Sequence, residues 1–278
     1  MLIQRILTAI VLIPLVIIAL FFAPLSIFSY LIIAVCALAA WEWRNFLAER
    51  TEKTVLLFLI VFSIVLLYFI PIESTLKSKL FALIICLSVI WWLTALLLVV
   101  GYPNSAKYWS KSPLIKLLFA FFTLVPFFIG MLELRTINYG VNSYTGAIWL
   151  LYVFVLVWAT DTGAYFAGRA IGKRKLAVKV SPGKTVEGFI GGVSLAILVC
   201  VIAYLTGYFN INFTQFLFSS LLAVLASVLG DLTESMFKRE AGIKDSGNLI
   251  PGHGGILDRI DSLTAAVPVF TILSLHLF

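Results

Sequence analysis

Histidine, cysteine and charge are all scarce in this sequence. The two histidines, His253 and His276, are widely separated, and a zinc site would need more His or Cys than this. The three cysteines, Cys36, Cys86 and Cys200, fall within apolar runs, without metal spacing or a partner at short range, and read as small buried hydrophobes. Charged residues make up only 12% of the chain against 62% hydrophobic, and the mean hydropathy is +1.09. No soluble domain of this size needs so much apolar surface, so the class is a polytopic membrane protein. The apolar runs also lack period-2 alternation, which excludes a closed barrel and leaves helices as the spanning element.

A transmembrane helix needs about 20 mostly apolar residues. The runs predict an all-α fold of about nine spans: Ile6–Phe22, Ile27–Trp41, Val55–Ile70, Leu80–Gly101, Leu114–Leu134, Gly146–Gly168, Val186–Gly207, Phe213–Leu232 and Leu263–Phe278. The first could pass for a signal peptide, but it is long, lacks an A-x-A-like cleavage site and is followed at once by another span, so a retained helix is expected. The formal charge of +7 is a matter of distribution rather than of nucleic-acid binding. With the N-terminus in the cytoplasm, 17 basic residues fall on that side and only Lys77, Lys79 and Arg135 on the other. An odd number of spans then puts the C-terminus on the opposite side. Residues 1–135 carry ionisable groups only in loops or at span ends and read as a scaffold of about five helices. Residues 136–278 read as the catalytic region of about four, with cytoplasmic loops 168–186 and 233–262.

What charge there is gathers in the second half. From Gly230 to Leu263, carboxylates (Asp231, Glu234, Glu240, Asp245, Asp258, Asp261) alternate with bases (Lys238, Arg239, Lys244, Arg259) about the turn Ile250-Pro251-Gly252-His253-Gly254-Gly255. Carboxylates suit divalent ions with oxygen-rich ligands, and Lys and Arg suit phosphate oxygens, so the two together point to a metal–phosphate site. Asp231 and Glu234 share a helix face that Lys238 continues, and Asp258 and Asp261 repeat the spacing on the next helix. Such pairs can clamp one or two divalent ions. The plainer alternative is salt bridging to Lys238, Arg239 and Arg259. His253, between glycines, reads as a phosphate donor or a loop-shaping residue.

Asp161 lies near the cytoplasmic end of the sixth predicted span, where an acid is costly and tends to be functional. The alternative is a helix-end residue reaching the headgroups. After it comes a basic loop, of which Lys173 to Lys175 fit a plain positive-inside signal. Its piece Ser181-Pro182-Gly183-Lys184-Thr185 is more specific: Ser181 is expected as an N-cap, Pro182 as the first helical residue, and the N–H groups there as an anion site. Lys184 in that first turn is unfavoured by the helix dipole and calls for an anion. A Walker A loop is excluded, because the position that needs its first glycine is Val178.

The run Ser235, Phe237, Lys238-Arg239, Lys244-Asp245, Gly247, Ile250-Pro251, His253-Gly254-Gly255, Asp258-Arg259-Ile260-Asp261 closely resembles the phosphatidate cytidylyltransferases (CDP-diacylglycerol synthases), without departure from their pattern. Asp161 and Ser181–Gly188 also look like elements of that family, while the first half matches only in hydrophobicity and span count. The resemblance implies transfer of CMP from CTP to phosphatidic acid. It also implies Mg²⁺, a second monovalent cation such as K⁺, and a nine-span homodimer in a bacterial inner membrane, with the site facing the cytoplasm. On that footing Asp231 and Asp258 are the expected Mg²⁺ ligands, with Asp161 and Asp261 beside them. Ser181, Lys184, Lys238, Arg239, Lys244, His253 and Arg259 are expected at the substrates' phosphates, and Gly254 and Gly255 where backbone meets nucleotide. Two other readings compete. A CDP-alcohol phosphotransferase lacks support because its D-G-x-x-A-R start and D-x-x-x-D end are missing. An ion-coupled transporter would want charges at the midplane rather than at one face.

Overall fold

A computed structural model describes residues 2–70, 75–250, 252 and 254–276, so that Pro251 and His253 of the motif lie outside the described residues. In chain order the helices are α1 (Leu2–Phe21), α2 (Leu25–Trp43, continued as a 3-10 turn to Phe46), α3 (Arg50–Phe69), α4 (Thr75–Val100), the short α5 (Ala106–Trp109), α6 (Pro113–Thr136), α7 (Ser143–Ile171), α8 (Val186–Leu205), α9 (Phe213–Glu240) and α10 (Leu257–Thr271, continued as a π turn to His276). Among the described residues seven are long and apolar enough to cross a membrane: α2, α3, α4, α6, α7, α8 and α9. The first and last predicted spans are helical as well. Helix α1 has 20 residues and α10, before its π turn, 15.

Helix ends lie where local chemistry puts them rather than where hydropathy fades. At α3 a capping box closes the first turn, with Glu49 and Glu52 each accepting from the other's backbone N–H. Ser112 caps α6 ahead of Pro113, and the side chains of Asn142 and Asn212 cap α7 and α9. The departure from an all-α fold is a two-stranded antiparallel hairpin of β1 (Lys175–Ala177) and β2 (Ser181–Thr185) between α7 and α8.

That hairpin corrects the expected helix start at Ser181. Ser181 and Lys184 lie in extended backbone, and it is Thr185 that caps α8, its hydroxyl accepting from Gly188 N at 3.1 Å. The cysteines need a correction too: Cys36 and Cys200 are buried, but Cys86 is exposed on α4, where surrounding lipid would be as apolar as a protein core.

Two packing devices place the functional elements. Helices α7 and α8 touch backbone to backbone: a Cβ at Gly163 would lie 2.6 Å from Gly191 O, and one at Gly192 2.6 Å from Thr160 O. This holds the Asp161 stretch against the first turns of α8. The last turns of α9 rest on an aromatic cluster in which Phe237 meets Trp109 at 4.8 Å between centroids, Trp43 at 5.2 Å, and Phe46 and Phe119 at 5.7 Å. Trp43 and Trp109 are thus buried packing residues of the bundle.

The basic loops meet at one end of the bundle. There Lys116 Nζ donates to Phe46 O, Asn45 Nδ2 to Ser246 O, and Arg239 Nε to Val180 O. Tyr102 OH donates to Glu240 Oε2 at the same end. At the other end Arg135 donates to Ser143 O and Ala23 O, and Lys77 Nζ to Ile70 O.

Candidate active site

Helix α9 outruns its apolar stretch by two turns and carries Asp231, Glu234, Lys238 and Arg239 toward the crowded end. The hairpin folds over these turns, tied down by the bond from Arg239 to Val180 O and by the buried Val180 side chain. It is braced from below by Glu187. One carboxylate oxygen of Glu187 accepts from the backbone N–H groups of Lys173 and Arg174 at 2.9 and 3.1 Å, and the other from Arg174 Nε at 2.9 Å. Lys175 Nζ closes the strands by donating to Pro182 O at 2.8 Å.

So held, Lys184 points inward. Its Nζ is 2.5 Å from Asp231 Oδ2, and both side chains stay about one quarter exposed. They line a cavity of about 580 Å³ together with Asp161, Arg169 and Gly183. Three residues picked from separate stretches of sequence, Asp161, Lys184 and Asp231, therefore share one space. Three side chains of this wall, Leu176, Phe189 and Val228, also line a second, largely apolar cavity of about 810 Å³ that runs between α4, the hairpin and α9.

One turn further along α9 a second group forms. Lys238 Nζ lies 2.7 Å from Glu234 Oε2 and 2.7 Å from Asp258 Oδ1. The other oxygen of Asp258 accepts from Ser246 N, Ser246 Oγ and Gly255 N at 2.9, 2.9 and 2.8 Å. Burial alone would raise the Asp258 carboxyl, but the Lys238 ammonium and the N–H groups of Gly255 and Ser246 outweigh it and hold it below the usual carboxylate range. Asp258 does not line the cavity that Asp231 lines; the two expected metal ligands are each paired with a different lysine. Asp261 sits beside Glu234 around a small void, with Ser262 N donating to its Oδ1 at 2.7 Å. Lys244 and Arg259 are exposed, and Gly254 has φ +85° where the loop doubles back under Asp258.

Among the described residues no three His, Cys, Asp or Glu side chains are gathered so as to hold a metal. This donor set fits a hard ion that takes one or two carboxylates and completes its shell with water and substrate phosphates, as Mg²⁺ does.

Reading by residue type missed the first half's share in the site. Glu42, at the end of α2, is 1% exposed; it accepts from Ile256 N and Leu257 N at 3.0 and 2.8 Å, and its Oε2 lies 3.1 Å from Ser246 Oγ, whose one proton it shares with Asp258. Asn45 holds the carbonyl of the same Ser246 at 2.7 Å. The one signal for Glu42 is its place as an acid between two tryptophans at a span end.

The chain matches the model of the cytidylyltransferase family over residues 3–277. It is 52% identical to a phosphatidate cytidylyltransferase of Haemophilus influenzae, over 98% of each chain. To one of Pseudomonas aeruginosa it is 42% identical, over 98% of this chain and 97% of that one. A phosphatidate cytidylyltransferase of Bacillus subtilis is 43% identical over 53% of this chain and 55% of its own. By the extent of these matches and the motif they cover, the chain belongs to the cytidylyltransferase family.

Proposed function

We propose that the chain transfers CMP from CTP to phosphatidic acid, giving CDP-diacylglycerol and pyrophosphate for phospholipid synthesis. The names of its near-full-length relatives support the reaction. The observation that carries the reading into the structure is the common wall of the two cavities, Leu176, Phe189 and Val228. One side offers Lys184 and carboxylates to phosphates, and the other offers an apolar groove to acyl chains. A lipid phosphate can thus reach the nucleotide from the side while its tails stay among Leu93, Leu96, Leu225 and Leu229.

The chemistry is in-line substitution at phosphorus. A phosphate oxygen of the lipid bonds to the α-phosphorus of CTP, and the bond from that phosphorus to the bridging oxygen breaks, releasing pyrophosphate. The nucleophile is already an anion, so the protein's share is positioning and charge neutralisation. Asp231 and Asp258 would hold Mg²⁺, with Asp161 and Asp261 beside them; when bound, it neutralises phosphate charge and orients the triphosphate. Lys184 and Lys238 neutralise these carboxylates in the pairs described. With that charge otherwise balanced, their ammonium groups serve phosphate oxygens instead. Arg239, Ser181, Lys244, His253 and Arg259 are further phosphate partners, and the Gly254–Gly255 backbone lies against the nucleotide. A monovalent cation such as K⁺ beside Mg²⁺ belongs to the same reading.

The basic end of the bundle is assigned to the cytoplasm of a bacterial inner membrane, with α1 and α10 as eighth and ninth spans and the C-terminus opposite. Residues 136–278 are the catalytic region and residues 1–135 its scaffold, and the resemblance adds a homodimer. The test is direct: purified protein in detergent–lipid micelles receives CTP and phosphatidic acid, with and without Mg²⁺, and CDP-diacylglycerol is measured. Its Mg²⁺-dependent appearance is expected. Absence of product from protein that stays folded would reject the reading, and counterflow of an ion in liposomes without CTP would favour a transporter.

A further inference from the structure

The buried carboxylate of Glu42 has no assigned work. A charge in such a place costs several kcal/mol unless it is compensated. Among the described residues it forms no ion pair, and its partners are neutral donors. Two of them, Ile256 N and Leu257 N, are the N-cap and first-residue amides of α10, and the Ile256 side chain offers no cap. Helix N-termini leave such N–H groups without intrahelical acceptors and favour an anion beside them. Glu42 supplies both acceptor and charge from another helix.

The loop between α9 and α10 is moulded on this side chain. A Cβ at Gly247 would lie 2.5 Å from Glu42 Oε1, and one at Gly255 would fall on Oε2. Ser246, fully buried, has its hydroxyl within hydrogen-bonding distance of both Glu42 Oε2 and Asp258 Oδ2, while Gly255 N donates to Asp258. Glu42 and Asp258 thus grip one loop from opposite sides, and Asp258 Oδ1 passes the position on to Lys238.

We propose that Glu42 is a positioning residue for cytidylyl transfer: it caps α10 from α2 and, through Ser246 and the backbone at 255–257, fixes where Asp258 and Lys238 stand. This rests on the transfer reading above. It gives residues 1–135 a part in the active site rather than in the scaffold alone.

The test compares wild type with Glu42→Gln and Ser246→Ala in purified protein. Losing a supporting contact of this kind costs roughly 10–100-fold. Glu42→Gln should lower kcat by about that factor and raise the Mg²⁺ concentration for half-maximal rate, with the KM for phosphatidic acid unchanged, because the apolar groove contains neither residue. Glu42→Asp, which keeps the charge, should recover part of the loss. Without substrates, limited proteolysis mapped by mass spectrometry should find faster cutting within residues 241–255 and nowhere else. The double variant should lose less than the product of the two single losses, since both act through one contact. Unchanged kcat and Mg²⁺ dependence in Glu42→Gln, or multiplicative losses in the double variant, would overturn the proposal. If Glu42→Gln does not accumulate, Ser246→Ala is judged alone on its kcat, Mg²⁺ dependence and cutting. An inactive wild type would instead reject the transfer reading.

Discussion

Lys184 reaches Asp231 from a β-strand, 47 positions earlier in the chain, and closes to 2.5 Å between Nζ and Oδ2. Because the pair is partly exposed and lines a cavity, its worth is in binding rather than in stability. Replacing Lys184 by Met should leave the melting temperature in detergent nearly unchanged. It should raise the KM for CTP and lower kcat by about 10²–10³, the scale seen when a charge-stabilising donor is removed. Steady-state CMP transfer at varied CTP checks this. Asp231→Asn should lose activity at least as severely.

Lys238 is different, because its partners are shielded. The side chains of Glu234 and Asp258 are 4% and 5% exposed, and that of Lys238 13%. Lys238→Met leaves two buried carboxylates without their cation, a change that costs about 3–5 kcal/mol in comparable sites. The variant should inactivate at lower temperature as well as lose transfer activity. Adding Glu234→Gln should restore part of the thermal stability but not the activity, which thermal inactivation and CMP-transfer assays separate.

The α7–α8 contact predicts a position-specific intolerance of one methyl group. Gly163→Ala drives a Cβ against Gly191 O, and overpacking of this kind costs about 1–3 kcal/mol. Pushing α7 from α8 also moves Asp161 away from Lys184, so activity should fall further than stability alone explains. Gly140→Ala, with nothing within 4 Å of the added atom, should match wild type in both. Melting curves and kcat on the same preparations test the contrast.

Orientation can be read chemically. Val178 on the hairpin is 61% exposed and Val141, at the opposite end, 93%. In a background without native cysteines, a cysteine at position 178 should react with an impermeant maleimide only after the inner membrane is opened. One at position 141 should react from the periplasmic side. The reverse pattern would invert the assignment.

Most of the helices were legible because apolar runs of spanning length have few other uses. The ends were less so. Hydropathy stops at Leu232, but α9 continues to Glu240, since a helix leaving lipid needs only propensity and packing, here the aromatic cluster around Phe237. Ser181-Pro182 imitates a helix start in every local respect. It became a strand because Lys175–Ala177 pairs with it and Arg239, 59 positions on from Val180, holds that residue's carbonyl, a contact no window of a few residues can contain. The residues that meet in the cavity, Asp161, Lys184 and Asp231, could be picked individually by charge type and place. The pairing of Asp258 with Lys238 was within reach as the plainer alternative of salt bridging, but its hold on Ser246 and Gly255 was not. Glu42 was illegible for the same reason taken further: its partners lie 204 to 215 positions away.

That separation has a consequence for biogenesis. Glu42 leaves the ribosome long before residues 256 and 257, and at about 5–20 residues per second the interval is on the order of 10–40 s. Throughout it the carboxylate lacks the donors that later surround it, so the nascent chain must keep the end of α2 in the hydrated headgroup layer while later helices insert. Docking of α10 is then the step that draws this acid out of water. It gives the half-made protein a built-in reason to stay inactive until its last described helix has been delivered.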